Sequence, residues 1–167
     1  MGAVWLAVVT VLLACSPASA QIHRLWTHQE LDAESDLVVI ASPLVTHVTP
    51  TRTELDGLQF PVPVVELNTN FQILSVVSGS VQGDRLTLRH YRHDWQQQRP
   101  SVDGGTLIEF GPDAPLTRVC RAGDVSPNLP TRCDYLLYLK REGDGFYRPT
   151  SGDLFPSSSV FLLRPTG

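Results

Sequence analysis

The stretch VVELNTNFQILSVVSG, residues 64 to 79, alternates apolar and polar side chains with a period of two. This alternation predicts a β-strand with one buried face. From Ile73 onward, Leu74 and Val76 make the second phase apolar as well, so we expect the strand to end covered on both faces. The predicted buried phase consists of Val65, Leu67, Thr69, Phe71, Ile73 and Val77.

The predicted strand is too long to lie flat in a small domain. From Val64 to Val77 it would span about 46 Å at roughly 3.3 Å per residue, whereas strands usually contain about 5–6 residues. It must therefore bend, and Ser75 on the buried phase is the candidate bulge. A long bent strand that pairs with different neighbours at its two ends closes a small barrel. We predict a mainly β fold: a small closed or partly open five-stranded barrel with a short N-terminal helix.

Composition agrees with a β-rich domain. The 167 residues include 12 glycines and 13 prolines, which is many for a helical protein, and charged residues make up only 18% against a usual share of about 25%. The net charge of −4 provides no basic surface for nucleic acid, so we expect no nucleic-acid partner.

The N-terminus has the pattern of a targeting segment. An apolar, uncharged run from Gly2 to Ala14 precedes Ala18-Ser19-Ala20, which fits a secretory signal cleaved before Gln21. The run Leu12 to Cys15 also resembles a bacterial lipobox, in which Cys15 would carry a lipid and anchor the protein to the cell envelope. The Ala-x-Ala site favours plain secretion. We therefore predict a signal peptide over 1–20 and a single secreted or periplasmic domain over 21–167.

Either processing route leaves one pair of cysteines, Cys120 and Cys133. An oxidising compartment favours a disulfide between them. The bridge would close a loop of twelve intervening residues and contribute ~3 kcal/mol in the chain-entropy model.

The remaining pattern predicts short elements around the long strand. A capping box formed by Thr27 and Glu30 predicts a helix over about 28–35. Further strands are expected over 37–48, 85–92, 106–110 and 133–140, with a tight hairpin at Gly143-Asp144-Gly145 and a short strand or helical turn over 160–163. Residues 49–63 are expected to form a loop or irregular hairpin because they contain three prolines and Asp56-Gly57.

The order of three motifs resembles a known family. A helix leads into Asp36 to Val39, FQILSVVSG follows over 71–79, and YLLYL over 135–139 precedes the Gly-Asp-Gly hairpin. This order resembles bacterial secreted proteins of the netrin-like, or tissue-inhibitor-of-metalloproteinase-like, class. The resemblance covers about residues 26–163 and implies an OB-type five-stranded barrel with a helix. It does not imply protease inhibition, because the animal inhibitors begin with a cysteine, whereas this mature chain is expected to begin at Gln21.

The densest cluster of metal-ligand types is His90, His93 and Asp94. On a strand, His90 and His93 would point to opposite faces because their spacing is odd. A solvated strand end is therefore the preferred interpretation, and a metal-dependent hydrolase is the alternative. His90 itself shares the phase of Leu86 and Leu88, which also fits a hydrogen-bonded residue of the core or the barrel mouth. Signatures such as Gly-x-Ser-x-Gly, His-Glu-x-x-His and phosphate-binding glycine loops are absent from the sequence, so we predict no enzyme, no metal and no cofactor.

Loops at the end of a rigid barrel are frequent binding sites. Tyr91, Arg92, Trp95 and Arg99 form the candidate ligand rim of the predicted barrel, since OB folds bind ligands on a strand face and its adjacent loops. We predict a non-catalytic binding module whose partner is a protein or glycan in the cell envelope or outside the cell.

Overall fold

The computed structural model describes residues 25–56, 61–97, 107–110 and 133–163. These residues form one helix, α1, six strands, β1 to β6, and two short 3-10 turns over Trp95–Gln97 and Pro156–Ser158. The helix and strands are α1 (His28–Glu34), β1 (Leu37–Leu55), β2 (Val62–Gly79), β3 (Arg85–His93), β4 (Asp134–Arg141), β5 (Tyr147–Pro149) and β6 (Val160–Leu163).

The strands form a single sheet whose pairings close into a ring. The sheet order is β1-β2-β3-β5-β4-β6, and β1 also pairs antiparallel with β4, from Leu37↔Leu139 to Ala41↔Tyr135. The ring therefore passes through five strands, while β6 pairs with the edge of β4 opposite β1. The mainly β architecture with one short helix is confirmed, and so is the closure of the pairings through five strands.

β2 is one continuous strand, which confirms the long strand expected from residues 64–79. It pairs with β1 along nearly its whole length, whereas β3 covers it only between Val64 and Gln72. The register with β1 shifts on both sides of Ser75, skipping Leu74 and Val77. The bulges thus flank the predicted position, and Ser75 itself pairs with Ile40.

The second half of β2 is not covered on both faces, so that prediction is wrong. Leu74, Val76 and Val77 are 45%, 45% and 58% exposed. Because β3 stops pairing at Gln72, the rest of β2 has β1 as its described strand neighbour and extends past the region where the ring encloses a core.

The loop expected over residues 49–63 is largely strand. β1 continues to Leu55 and β2 begins at Val62, so the two strands form a long hairpin. Pro50 falls within the irregular pairing between Val48 and Arg52, where its missing N–H leaves no gap in the ladder. Thr51 and Thr53, which follow Pro50, favour extended backbone. This preference outweighs the turn signals of the prolines and of Asp56-Gly57.

Helix α1 follows its sequence signals closely. Thr27 Oγ1 accepts from the Glu30 amide at 3.2 Å, and the Glu30 carboxylate accepts from the Thr27 amide at 2.9 Å, which completes the capping box. Leu31 is fully buried and packs with Val38 and Tyr138 in a small cluster separate from the main core. The helix therefore covers the side of β1 and β4 that faces away from that core.

The main core contains residues from all five strands of the ring. Ile108 and Phe110 also belong to it, although residues 107–110 form no strand, contrary to the prediction for 106–110. The Phe110 ring contacts the rings of Phe71 and Tyr135 edge-to-face, with centroids 5.0 and 5.2 Å apart. Residues 107–110 therefore pack into the core by their side chains without extending the sheet.

The predicted strand over 133–140 is β4, and it is central as expected because it pairs with β1, β5 and β6. The Gly143-Asp144-Gly145 hairpin is confirmed, with Gly145 at a φ of 88°. Cys133 is buried in the core. Its predicted partner Cys120 lies outside the described residues, as do the signal segment 1–20, Cys15 and Arg99, so the predictions that depend on them stay predictions. Within the described ranges, no helix has the length and apolarity to cross a membrane.

Candidate functional site

A groove opens where β3 and β5 separate. Their parallel ladder consists of the pair Leu88↔Tyr147, and on the N-terminal side of Leu88 the two strands leave a space of about 600 Å³. The β2–β3 turn closes one end of this groove and the β4–β5 hairpin forms a wall, contributing Gln82 and Gly145 respectively. A volume of this size is in the range of sites for small molecules.

Part of the groove lining is apolar. This part consists of Leu44, Val45, Val81 and Leu86. Leu44 and Val45 are 50% and 45% exposed, and Leu44 has no pairing partner because the β1–β2 register shifts between Pro43 and Val45. This bulge exposes an apolar side chain that a regular strand could have turned toward the core.

Arg141 also lines the groove, and neutral groups hold its guanidinium. Arg141 donates from Nη2 and Nε to the Tyr147 hydroxyl at 2.8 and 3.2 Å, and from Nη2 to the Ser80 carbonyl at 3.2 Å. The guanidinium also lies 5.5 Å from the centre of the Tyr147 ring. All of these contacts are to neutral groups, so they orient the cation without neutralising its charge.

Further polar groups complete the lining. Arg85, exposed at the start of β3, contributes a second guanidinium. The Thr87 hydroxyl donates to Asn70 Oδ1 at 2.8 Å, which orients the Asn70 amide so that its nitrogen remains available as a donor. The groove thus offers cations and hydrogen-bond donors together with apolar side chains, and no carboxylate belongs to its described lining.

An ion-pair cluster next to the groove fixes its hairpin wall. Arg89 on β3 contacts Glu142 at 2.5 Å, Asp144 at 2.6 Å and Glu66 at 3.7 Å. The hydrogen bond to Asp144 is the main reason that the pKa of Arg89 is raised, and the same bond lowers the pKa of Asp144. Because Glu142 and Asp144 flank the β4–β5 turn, the cluster attaches this turn to β3 and sets the width of the groove.

A second polar chain crosses the interior of the ring. His90 is 1% exposed, its Nε2 lies 2.8 Å from Thr69 Oγ1, and its Nδ1 lies 2.9 Å from the Ile108 carbonyl. Thr69 Oγ1 in turn lies 2.7 Å from Thr46 Oγ1, which donates to the Phe110 carbonyl at 3.0 Å. These hydrogen bonds connect residues 107–110 to β1, β2 and β3. Burial lowers the pKa of His90 to about 4, so its ring is neutral at pH 7.

The cluster His90, His93 and Asp94 does not converge in the structure. β3 continues through His93, so the two histidines leave opposite faces, as their odd spacing predicts, and both ring nitrogens of His90 have protein partners. Asp94 is buried against Arg52 Nε at 3.1 Å. Within the part of the chain that the structure describes, no three His, Cys, Asp or Glu side chains form a metal-binding group. The metal-dependent hydrolase therefore gains no support from the geometry.

The candidate rim is only partly visible, and the structure does not bring its members together. Tyr91 and Arg92 are both half-buried on β3, but as neighbours on a strand they point to opposite faces. Burial, followed by the charges of Asp153 and Glu66, raises the pKa of Tyr91. Arg99 and the Trp95 side chain lie outside the described residues. Neither Tyr91 nor Arg92 lines the groove.

Sequence reasoning missed the groove residues Arg85 and Arg141. They begin one strand and end another, 56 positions apart in the chain, and single cations at strand ends are ordinary surface features. The sequence did contain two local signals, a proline next to Leu44 and a turn after β2. Neither signal indicates that these two places lie at the same groove.

No family model matches this chain, and no curated protein or solved structure matches it.

Proposed function

We propose that this protein is a non-catalytic binding module that holds a small ligand in the groove between β3 and the β4–β5 hairpin. The observation that carries the proposal is the combination of about 600 Å³ of open space with Arg141, whose position is fixed by Tyr147 and Ser80. Few such concave sites occur on a protein, and they combine apolar lining with a small number of placed polar groups.

The proposed architecture is a netrin-like OB barrel. The ring through five strands and the single helix packed outside it support this assignment, as does the continuous bulged strand β2. A rigid ring that carries its ligand beside loops and hairpins is the usual arrangement for OB-type binding.

We further propose that the module acts outside the cytoplasm, with residues 1–20 removed and Cys120 bridged to Cys133. Mass spectrometry of protein purified from its host tests these points in one measurement. A mature chain beginning at Gln21, lighter by two hydrogens than the dithiol, is the expected result. A chain beginning with an acylated Cys15 would replace secretion by membrane anchoring, and an unprocessed chain with free thiols would reject export.

The binding role is tested by filling the groove. Gln82 is exposed in the β2–β3 turn and lines the groove, so Gln82→Trp should occupy it without disturbing the core. Gln97→Trp places the same ring on an exposed turn away from the groove and serves as the control. A library of small anionic, neutral and cationic compounds is screened by amide chemical shifts.

Compounds that shift the amides of Thr87, Arg141 and Gly145 are expected, and Gln82→Trp should abolish these shifts while Gln97→Trp preserves them. If no compound of any charge class moves these amides, or if Gln82→Trp leaves binding unchanged, the groove is not a binding site and the proposal fails.

A further inference from the structure

We infer that the groove selects a small amphipathic anion, with its carboxylate at Arg141 and its apolar tail along Leu44 and Val45. This inference rests on the proposed function and adds the chemical class of the ligand. It follows from three observations: a guanidinium held in place by neutral groups, a second arginine in the lining, and apolar side chains in the same lining.

The first observation is the charge of Arg141. Among the described residues, Arg89, Arg52 and Lys140 each lie within ion-pair distance of at least one carboxylate. The Arg141 side chain instead contacts the Tyr147 hydroxyl and the Ser80 carbonyl, both neutral. No described carboxylate forms an ion pair with it, and its Nη1 group makes no hydrogen bond within the same residues.

The geometry makes Arg141 a prepared anion donor. Its Nε and Nη2 groups are used to hold the guanidinium in place, so that Nη1 is presented with little remaining freedom. A ligand that binds to a side chain already held in position loses less conformational entropy on binding. Charge-assisted hydrogen bonds from a guanidinium to a carboxylate are also about twice as strong as neutral ones.

Arg85 adds to this preference. Arg85 lines the same groove, and no described carboxylate pairs with it. Two arginines and no carboxylate among the described lining residues favour an anion over a cation, although the chain as a whole has a net charge of −4.

The apolar lining residues determine the rest of the ligand. Leu44 and Val45 line the groove and are half exposed, and the partly buried Val81 also lines it. Covering such side chains contributes free energy in proportion to the apolar area removed from water. An inorganic anion would leave this surface exposed, whereas a short acyl chain would cover it.

The test uses octanoate, octanamide and acetate as probes, titrated by calorimetry and amide shifts at low ionic strength. Octanoate has both head charge and tail, octanamide has the tail without the charge, and acetate has the charge with almost no tail. We expect octanoate to bind at least about tenfold more tightly than either of the others.

Two variants locate the head group. Arg141→Gln should weaken octanoate binding about tenfold and leave octanamide binding unchanged. Tyr147→Phe keeps the charge but removes the hydroxyl that orients Arg141, so a smaller loss, about threefold, is expected. Arg148→Gln is the control, because Arg148 is an exposed arginine on β5 that does not line the groove. It should leave octanoate binding as in the wild type.

Any of three results would overturn the inference. The first is equal affinity for octanoate and octanamide, and the second is no octanoate binding at millimolar concentration. The third is an equal loss of octanoate affinity in Arg141→Gln and Arg148→Gln. Folding of each variant is checked by its amide spectrum. If Arg141→Gln is partly unfolded, Arg141→Lys takes its place as the test. Because lysine keeps the charge, this variant should retain part of the affinity for octanoate. If neutral or cationic compounds bind the groove and Gln82→Trp abolishes their binding, the ligand is not an anion, but the protein is still a binding module. Absence of any groove ligand would reject the module itself.

Discussion

Replacing His90 with glutamine should change how the stability of this protein depends on pH. His90 is enclosed in the ring, and burial lowers its pKa to about 4 from an ordinary value of 6.5. In the unfolded chain the imidazole takes up a proton as the pH falls below 6.5, whereas in the folded chain it stays neutral until about pH 4. The unfolded state therefore binds more protons between these values, and the free energy of unfolding decreases as the pH falls through that window.

The size of the effect follows from the two pKa values. Each pKa unit corresponds to about 1.4 kcal/mol, so the His90 contribution falls by about 2 kcal/mol between pH 7.5 and pH 5, and by about 3 kcal/mol when pH 4 is reached. Thr69 and the Ile108 carbonyl are the hydrogen-bond partners of the His90 ring. A glutamine can keep one of these contacts but does not titrate, so this part of the pH dependence should disappear.

The assay is urea unfolding of the wild type and His90→Gln at pH 7.5, 6, 5 and 4.5. The variant is expected to be less stable at pH 7.5, because it loses packing against Phe110, and the difference should shrink by about 2 kcal/mol at pH 5. His47→Gln, at an exposed position on β1, controls for the loss of a histidine from the same sheet and should follow the wild type. Parallel curves for wild type and His90→Gln from pH 7.5 to 5 would refute the reasoning.

Two further predictions concern stability. Gly79 and Gly83 have nearly the same positive φ, 82° and 81°, but a Cβ at Gly79 would overlap the Asp36 carbonyl, whereas a Cβ at Gly83 would meet nothing within 4 Å. Gly83→Ala should therefore cost about 1–2 kcal/mol and Gly79→Ala at least about 2 kcal/mol more; equal losses in urea unfolding would contradict this. Along β2, Phe71→Ala should cost about 3–5 kcal/mol, whereas Val77→Ala, at a position 58% exposed, should stay within about 0.5 kcal/mol. Similar melting temperatures for the two variants would show that burial is not graded along the strand.

The sequence predicted the elements whose signals are local. The capping box at Thr27 and Glu30 specified the start of α1 because both partners lie within one helical turn. The alternation around Phe71 specified β2 and its buried face as far as Gln72, and the Gly-Asp-Gly motif specified the β4–β5 turn. In each case the residues that make the interaction are close in the chain, so a pattern in the sequence describes them directly.

The tertiary structure alone determined which surfaces are covered. Leu74 and Val76 have the apolar character of a buried strand, yet they are exposed because β3 stops pairing at Gln72. His90 shares the buried phase of Leu86 and Leu88, so the sequence offered a hydrogen-bonded core position for it, but its link to residues 107–110 depends on the fold. Burial depends on which distant strands pair and where their register ends, and side-chain periodicity carries no information about either.

The groove depends even more strongly on the fold. Arg141 became a candidate anion site because Tyr147 and Ser80 hold it in place and because the closed pairing of the strands brings it to the same groove as Leu44. The sequence determined that these residues are a cation and an apolar side chain at strand ends or bulges. Arg141 and Leu44 line the same groove because five strands pair in one register. That register results from long-range pairing and is not a property of any single segment.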